Sequence, residues 1–279
     1  MGMRVSTNIT ALRTQQALGG TKRSMDQAMA RLSSGLRINK VSDDAVGLAI
    51  SENFKSQLRG LKQANRNAQD GISMIQISEG GLSQISNNLV RLRELAMQAA
   101  SDTNGDRERG LLNTEYQQML QEIDRTAGST EYNGTPLLSG VGDSIDFQVN
   151  TRNSPEIDRV SYDPSKADAS TVALGVDSCD VATKVTAQES LGRVDEAISH
   201  VNSLRASLGA MQSRLNSTVE TLLESEQNIA TANSRIRDAD IAEESSEFAK
   251  QNVLMQSGTA ILAQANQQNN QALSLLQKG

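Results

Sequence analysis

All three prolines of this 279-residue chain, Pro136, Pro155 and Pro164, fall inside one window of 29 residues. The 135 residues before that window and the 115 after it have none, and proline is the strongest breaker of a helix interior. The chain can therefore divide into a helical arm, an irregular middle and a second helical arm. In the first arm apolar side chains recur every three or four residues: Phe54, Leu58, Leu61, Ala68, Ile72, Ile75, Leu82, Ile85, Leu89, Leu92, Ala96 and Ala99, with Asn65 and Glu79 also in step. The spacing is heptad-like, with one 3+3 step at Ile85 that overwinds a seam locally. Ser42, Asp43 and Asp44 offer an N-cap and negative charge at its start, and Asn104-Gly105 offers a stop. A single helix over 44–102 would run roughly 88 Å. A compact domain of this length has a radius of gyration of about 19 Å, so the expected shape is a rod.

A shorter helix reads from 106 to 126, with Leu112, Tyr116, Met119 and Ile123 on one face. The last arm opens at Thr186, where Thr186 to Glu189 spell a capping-box pattern. Its stripe runs through Ala187, Leu191, Val194, Ile198, Val201, Leu204, Leu208, Met211, Leu215, Val219, Leu222, Ile229 and Ile236. Two long amphipathic arms joined by a middle segment fold back as an antiparallel pair. Residues 129–182 differ in character: Asn133-Gly134 marks a turn, and Ile145, Phe147 and Val149 alternate with polar residues as in a half-buried strand. The expected fold is mainly α, a long antiparallel helical rod with a small β-region at its tip and paired N- and C-terminal helices. Its domains are 1–42 with 238–279, and 43–237, the latter containing 129–182.

Composition removes most chemistry. There are six aromatic residues and no Trp, with one histidine, His200, and one cysteine, Cys179. A zinc site needs several His or Cys ligands, and triad-type catalysis needs a placed imidazole. No catalytic, cofactor or metal residue is assigned, and the expectation is a protein that is not an enzyme. His200 reads as structural or surface. Cys179 sits in DSCD among acids, where an exposed, unactivated thiol is expected. A net charge of −6 argues against binding nucleic acid through phosphates. The first twenty residues lack the apolar core of a cleavable signal peptide, and no stretch approaches the ~20 apolar residues of a membrane span.

The two ends carry the functional signal. Residues 1–40 hold seven basic groups against Asp26, whereas 238–279 hold five acids against Lys250 and Lys278. Opposite charge orients the two ends toward each other. Each end also bears a seven-residue stripe: Ala11, Leu18, Met25 and Leu32 in the first, and Ile241, Phe248, Met255, Leu262 and Leu276 in the second, with Asn269 interrupting. Residues 251–277 contain no charged side chain, and 11 of those 27 are Gln or Asn. Such ends have more apolar and amide surface than a two-helix hairpin buries alone, so they are expected to form a polymerisation seam between copies. A head-to-side contact repeated without closure builds a helical filament.

The segment LSSGLRINKVSDDAVGLAI at 32–50 resembles bacterial flagellin over nineteen contiguous residues. The likeness continues at 63–104, at 112–138 and in RIRDADIAEESSEFAKQNVLMQSGTAILAQANQQNNQALSLL at 235–276. The resemblance implies a structural subunit of the flagellar filament, with the terminal helices as an inner core, the rod as an outer core and no large outer domain. It implies an extracellular homopolymer, exported without a cleavable signal by a type III route. It also implies an export chaperone, a filament cap and hook-associated proteins as partners. A host Toll-like receptor would contact Arg91, Leu95 and Glu115. Two alternatives stand beside this reading: a hook-filament junction protein with the same terminal helices, and a soluble helical adaptor.

Overall fold

The computed structural model describes residues 8–277, with side chains up to 268. Six helices dominate: α1 (Ile9–Ser34), α2 (Ala45–Ala100), α3 (Asp106–Ser129), the single turn α4 (Pro155–Asp158), α5 (Lys184–Arg237) and α6 (Ile241–Gln277). Strands β1 (Glu131–Tyr132) and β2 (Thr135–Pro136) form one antiparallel pair, and β3 (Ile145–Gln148) and β4 (Arg159–Tyr162) form another. The chain separates into two compact units, Met1–Ser56 with Asn228–Gly279, and Gln57–Gln227. Both boundaries fall inside helices, α2 and α5.

In the first unit α1 and α6 run antiparallel. The Asn8 side chain caps α1 by accepting from the Ala11 N–H at 3.0 Å, and Gly35 ends it in the left-handed region at φ 69°, a conformation glycine adopts without strain. Asp240 caps α6 through the Ala242 N–H at 2.9 Å. The chain leaving α1 pairs with the chain entering α6: Leu36 bridges Asp238, and the Arg37 N–H donates to the Arg237 carbonyl at 2.7 Å. That short ladder fixes where both helices begin to run together. At the start of α2, the Asp44 carboxylate accepts from the Gly47 N–H at 2.8 Å, so the expected acidic cap is present.

In the second unit the expected stripe of α2 is its core: Leu82, Ile85, Leu89 and Leu92 have no exposed surface. Ion pairs set the antiparallel register of α2 against α5, with Lys62–Glu226 at 3.4 Å, Arg205–Glu79 at 3.8 Å and Arg93–Asp195 at 2.6 Å. As exposed pairs they orient more than they stabilise. A second face of α2 is also buried, through Ala64, Gly71, Met74, Ser78, Asn88 and Leu95. Against this face lie α3 and the β-segment.

The β-region is not at the tip. It runs alongside α2, where the Asn67 amide donates to the Gln148 carbonyl at 3.0 Å. Three glycines make this approach possible. A Cβ on Gly60 would stand 2.7 Å from Thr151 Cγ2, one on Gly71 3.2 Å from the Phe147 ring, and one on Gly81 2.6 Å from Thr130 Oγ1 and 2.8 Å from Leu138 Cδ1. At Gly81 these distances leave no room for a methyl group, and at Gly71 the Phe147 ring would have to give by a few tenths of an ångström. At Gly60 only the end of the exposed Thr151 side chain stands in the way, so the segment touches α2 at backbone positions. Gly81→Val is accordingly expected to cost about 1–3 kcal/mol by overpacking. Its neighbour Gly80 faces open space, so Gly80→Ala should gain up to about 1 kcal/mol of helix propensity. Urea titration of the two variants checks the opposite signs.

Two further readings are corrected. The capping box of α5 lies at Thr183, not Thr186: the Thr183 hydroxyl accepts from the Thr186 N–H at 3.3 Å, and the Thr186 hydroxyl from the Thr183 N–H at 3.2 Å. Threonine at the third helical position thus fills the return role that the pattern assigns to Glu189. Cys179 is buried, 4% exposed, because the loop carrying it folds onto α3, where Gln117 donates to its carbonyl at 3.0 Å.

Tyr116 and Tyr162 are also buried, and the Tyr162 hydroxyl donates to the Leu137 carbonyl at 2.6 Å. Burial pushes both phenols above their usual range, and the neighbouring Cys179 adds to the shift at Tyr116. Their folded pKa values are raised above the unfolded ones. The stability they contribute is therefore fully present below about pH 10 and is lost as pH climbs beyond it. The slope is at most about 1.4 kcal/mol per pH unit for each ring, and only between its unfolded and folded pKa. Tyr→Phe at either position should flatten that alkaline slope in chemical denaturation.

Candidate assembly surfaces

Three contacts hold α1 and α6 in register: the Asn8 amide donates to the Ala265 carbonyl at 3.1 Å, Leu18 packs on Gly258, and Arg31 pairs with Glu244 at 2.8 Å. A Cβ on Gly258 would come within 2.8 Å of Leu18 Cδ2, so here too glycine admits a neighbour. The Arg31–Glu244 pair is the expected charge complementarity made local. On the same helix the Glu247 carboxyl is held below its usual range by hydrogen bonds from Gln251 and Lys250.

The stripe residues occupy this register. Ala11, Leu18, Met25 and Leu32 on α1, and Phe248, Met255 and Leu262 on α6, are half-buried, whereas Ile241 is exposed. The side chain of Leu276 lies outside the described residues. Beside this line is a second one that the stripe does not include. Val253, Leu254 and Ile261 of α6 are exposed, the last at 54%, together with Ile9, Leu12 and Met29 of α1. Leu254 and Ile261 are seven residues apart and so share a helix face. From 251 to 268 no charged side chain interrupts them. The seven-residue spacing was a signal for this line, hidden because the neighbouring stripe is more apolar.

In the second unit Arg91 and Glu115 meet across α2 and α3, with the guanidinium donating to one carboxylate oxygen at 2.7 and 3.0 Å. Arg91 also pairs with Glu94 at 3.0 Å. Glu115 raises the guanidinium's already high pKa first, and Glu94 second. Leu95 does not join them: it is 1% exposed and belongs to the core.

Proline-free helical arms, a charge-matched terminal pair and an uncharged apolar face beside that pair define a self-associating helical structural protein. Residues 5–143 match the family model described as the bacterial flagellin N-terminal helical region, and residues 191–276 match the bacterial flagellin C-terminal helical region. A flagellin of Halalkalibacterium halodurans is 42% identical over 98% of this chain and all of its own length. A flagellin of Bacillus subtilis is 40% identical over the same shares. The crystal structure of Bacillus cereus flagellin is 31% identical and aligns over 60% of this chain and 94% of that one, with a TM-score of 0.50. The chain belongs to the bacterial flagellin family.

Proposed function

We infer that the chain is a structural subunit of the bacterial flagellar filament, polymerising extracellularly with copies of itself. The observation that carries this reading is the uncharged, exposed apolar line Val253, Leu254 and Ile261 on α6. Contiguous apolar surface on a soluble unit marks an interaction site, and a face without charge meets its like without leaving ions unpaired. The half-buried stripe from Ala11 to Leu32 and from Phe248 to Leu262 holds each hairpin together and lends its outer edge to the same interface.

An export chaperone, a filament cap and hook-associated proteins are the further partners of this reading. A host Toll-like receptor would meet the exposed Arg91–Glu115 pair, with Leu95 supporting α2 from beneath. Purified protein seeded with filament fragments tests the main claim. Electron microscopy should show elongation into long tubes, and circular dichroism a gain of helix. A protein that never elongates and keeps its monomer helicity contradicts it.

A further inference from the structure

Asn-Gly occurs twice in the chain, at 104–105 and at 133–134. This dipeptide can rearrange without an enzyme. The backbone nitrogen after the asparagine attacks its side-chain carbonyl carbon, and glycine, having no Cβ, leaves that nitrogen unshielded. The five-membered ring that forms needs Cβ and the attacking nitrogen on the same side of the Cα–C bond. Backbone conformation therefore decides which asparagine reacts, and the two sites differ in it.

Asn133 and Gly134 are exposed and join β1 to β2. Exposure alone would favour this pair. Both residues, however, lie in the left-handed region, at φ 51° and 77°, as the favoured two-residue hairpin turn requires. There ψ is about +47°, which puts Cβ and the next nitrogen on opposite sides of the Cα–C bond. Ring closure would have to open the hairpin. The pairing of Tyr132 with Thr135, and the Leu137 N–H on the Thr130 carbonyl at 3.0 Å, hold it shut.

Asn104 lies in the short connection between α2 and α3, outside any ladder. Among the described residues Asn133 is the one non-glycine at positive φ, so Asn104 is not locked in that region. Its own N–H reaches the Ser101 carbonyl at a long 3.4 Å, and the Gly105 N–H makes no hydrogen bond among the described residues. Its side-chain amide donates to the Gln98 carbonyl at the end of α2.

We propose that Asn104 is a site of spontaneous deamidation and that the hairpin protects Asn133 from it. The Gly105 nitrogen bonds to Asn104 Cγ and gives its proton to solvent. The Cγ–Nδ2 bond breaks, the amide nitrogen takes up a proton, and ammonia leaves. Water then opens the succinimide at either carbonyl, giving aspartate, or isoaspartate when the main-chain bond is the one cleaved. Either product replaces a neutral donor with a carboxylate that cannot serve the Gln98 carbonyl, and it adds negative charge beside Asp102 and Asp106. Arg109 still holds the Ala99 and Ser101 carbonyls, so the turn changes charge with age without coming apart. This goes beyond the filament reading and does not depend on it.

Peptide mapping tests it in full-length protein kept in mildly alkaline buffer at physiological temperature. Trypsin places the two sites in separate peptides, 94–107 and 126–152, and mass spectrometry reads the amide-to-acid conversion of each. In native protein 94–107 should convert at least about tenfold faster, because 133–134 must first open locally. In urea the two rates should agree within about threefold. Equal native rates, or faster conversion of 126–152, overturn the proposal. So does a tenfold difference that persists in urea, since local sequence and not the fold would then set the rates. Gly105→Ala should slow conversion of 94–107 at least about tenfold by shielding the attacking nitrogen. Its φ of −78° accepts alanine, and the new methyl meets only the end of the Glu108 side chain. Unchanged conversion in that variant would mean direct hydrolysis of the amide and would overturn the ring-closure route.

Discussion

Ile261→Asp is expected to slow seeded filament growth at least 100-fold while leaving the α1–α6 pair of the monomer intact. Ile261 is more than half exposed and makes no part of the line that joins the two helices, so a carboxylate there stays hydrated in the free subunit. Assembly removes that water. An unpaired charge in an interface costs several kcal/mol, and each 1.4 kcal/mol is a factor of ten. Leu262→Asp is the informative companion. Its side chain is half-buried in the hairpin, so it should weaken the monomer's own pairing as well as assembly. Light scattering after seeding measures growth, and hydrogen exchange of α1 and α6 measures pairing. Normal growth of the Ile261→Asp protein would move the contact to another face.

Arg109→Met should have the largest effect on stability, about 3 kcal/mol, with helix content near that of the wild type. The guanidinium is nearly buried. Its Nε donates to the Ala99 carbonyl at 2.9 Å, one terminal nitrogen to the Ser101 carbonyl at 3.1 Å, and the other to Asp106 at 3.0 Å. Carbonyls in the last turn of a helix have no partner within it, and here one side chain of α3 satisfies the end of α2. Charged hydrogen bonds of this kind contribute about 1.5–3 kcal/mol, and methionine fills the volume without replacing them. Lysine keeps the charge and loses the forked geometry, so Arg109→Lys should fall between. Equal denaturation midpoints for all three proteins would remove this role from Arg109.

Much of the helical plan was legible because it is written in large apolar residues. The stripe from Leu61 to Ala99 fixed both the existence and the inward face of α2, and its ends came within two residues. What escaped was carried by small ones. Ala64, Gly71 and Ser78 also recur every seven residues, yet they read as neutral in any hydrophobic pattern. The second buried face of α2 therefore stayed invisible, and with it the place of the β-segment. Cys179 was misjudged for a related reason: its sequence neighbours Asp177 and Asp180 suggest solvent, whereas its loop is held down by Gln117 and by Asn113, whose side chain accepts from the Val181 N–H at 3.1 Å. Such long-range contacts leave no local pattern. At the ends, the stripe showed that α1 and α6 belong together but not which face is left over, since that depends on the crossing of the pair.

The three ledges of bare backbone on α2 carry a practical lesson about tolerance. A saturation screen of this chain should find Gly81 as unforgiving as many of its leucines, with Gly71 and then Gly60 progressively more tolerant, although none of the three contributes a side chain to anything. Anyone grafting an epitope or a reporter into the molecule would do best to splice it into the turn around Val141, which already stands out in solvent, and to leave those empty positions empty.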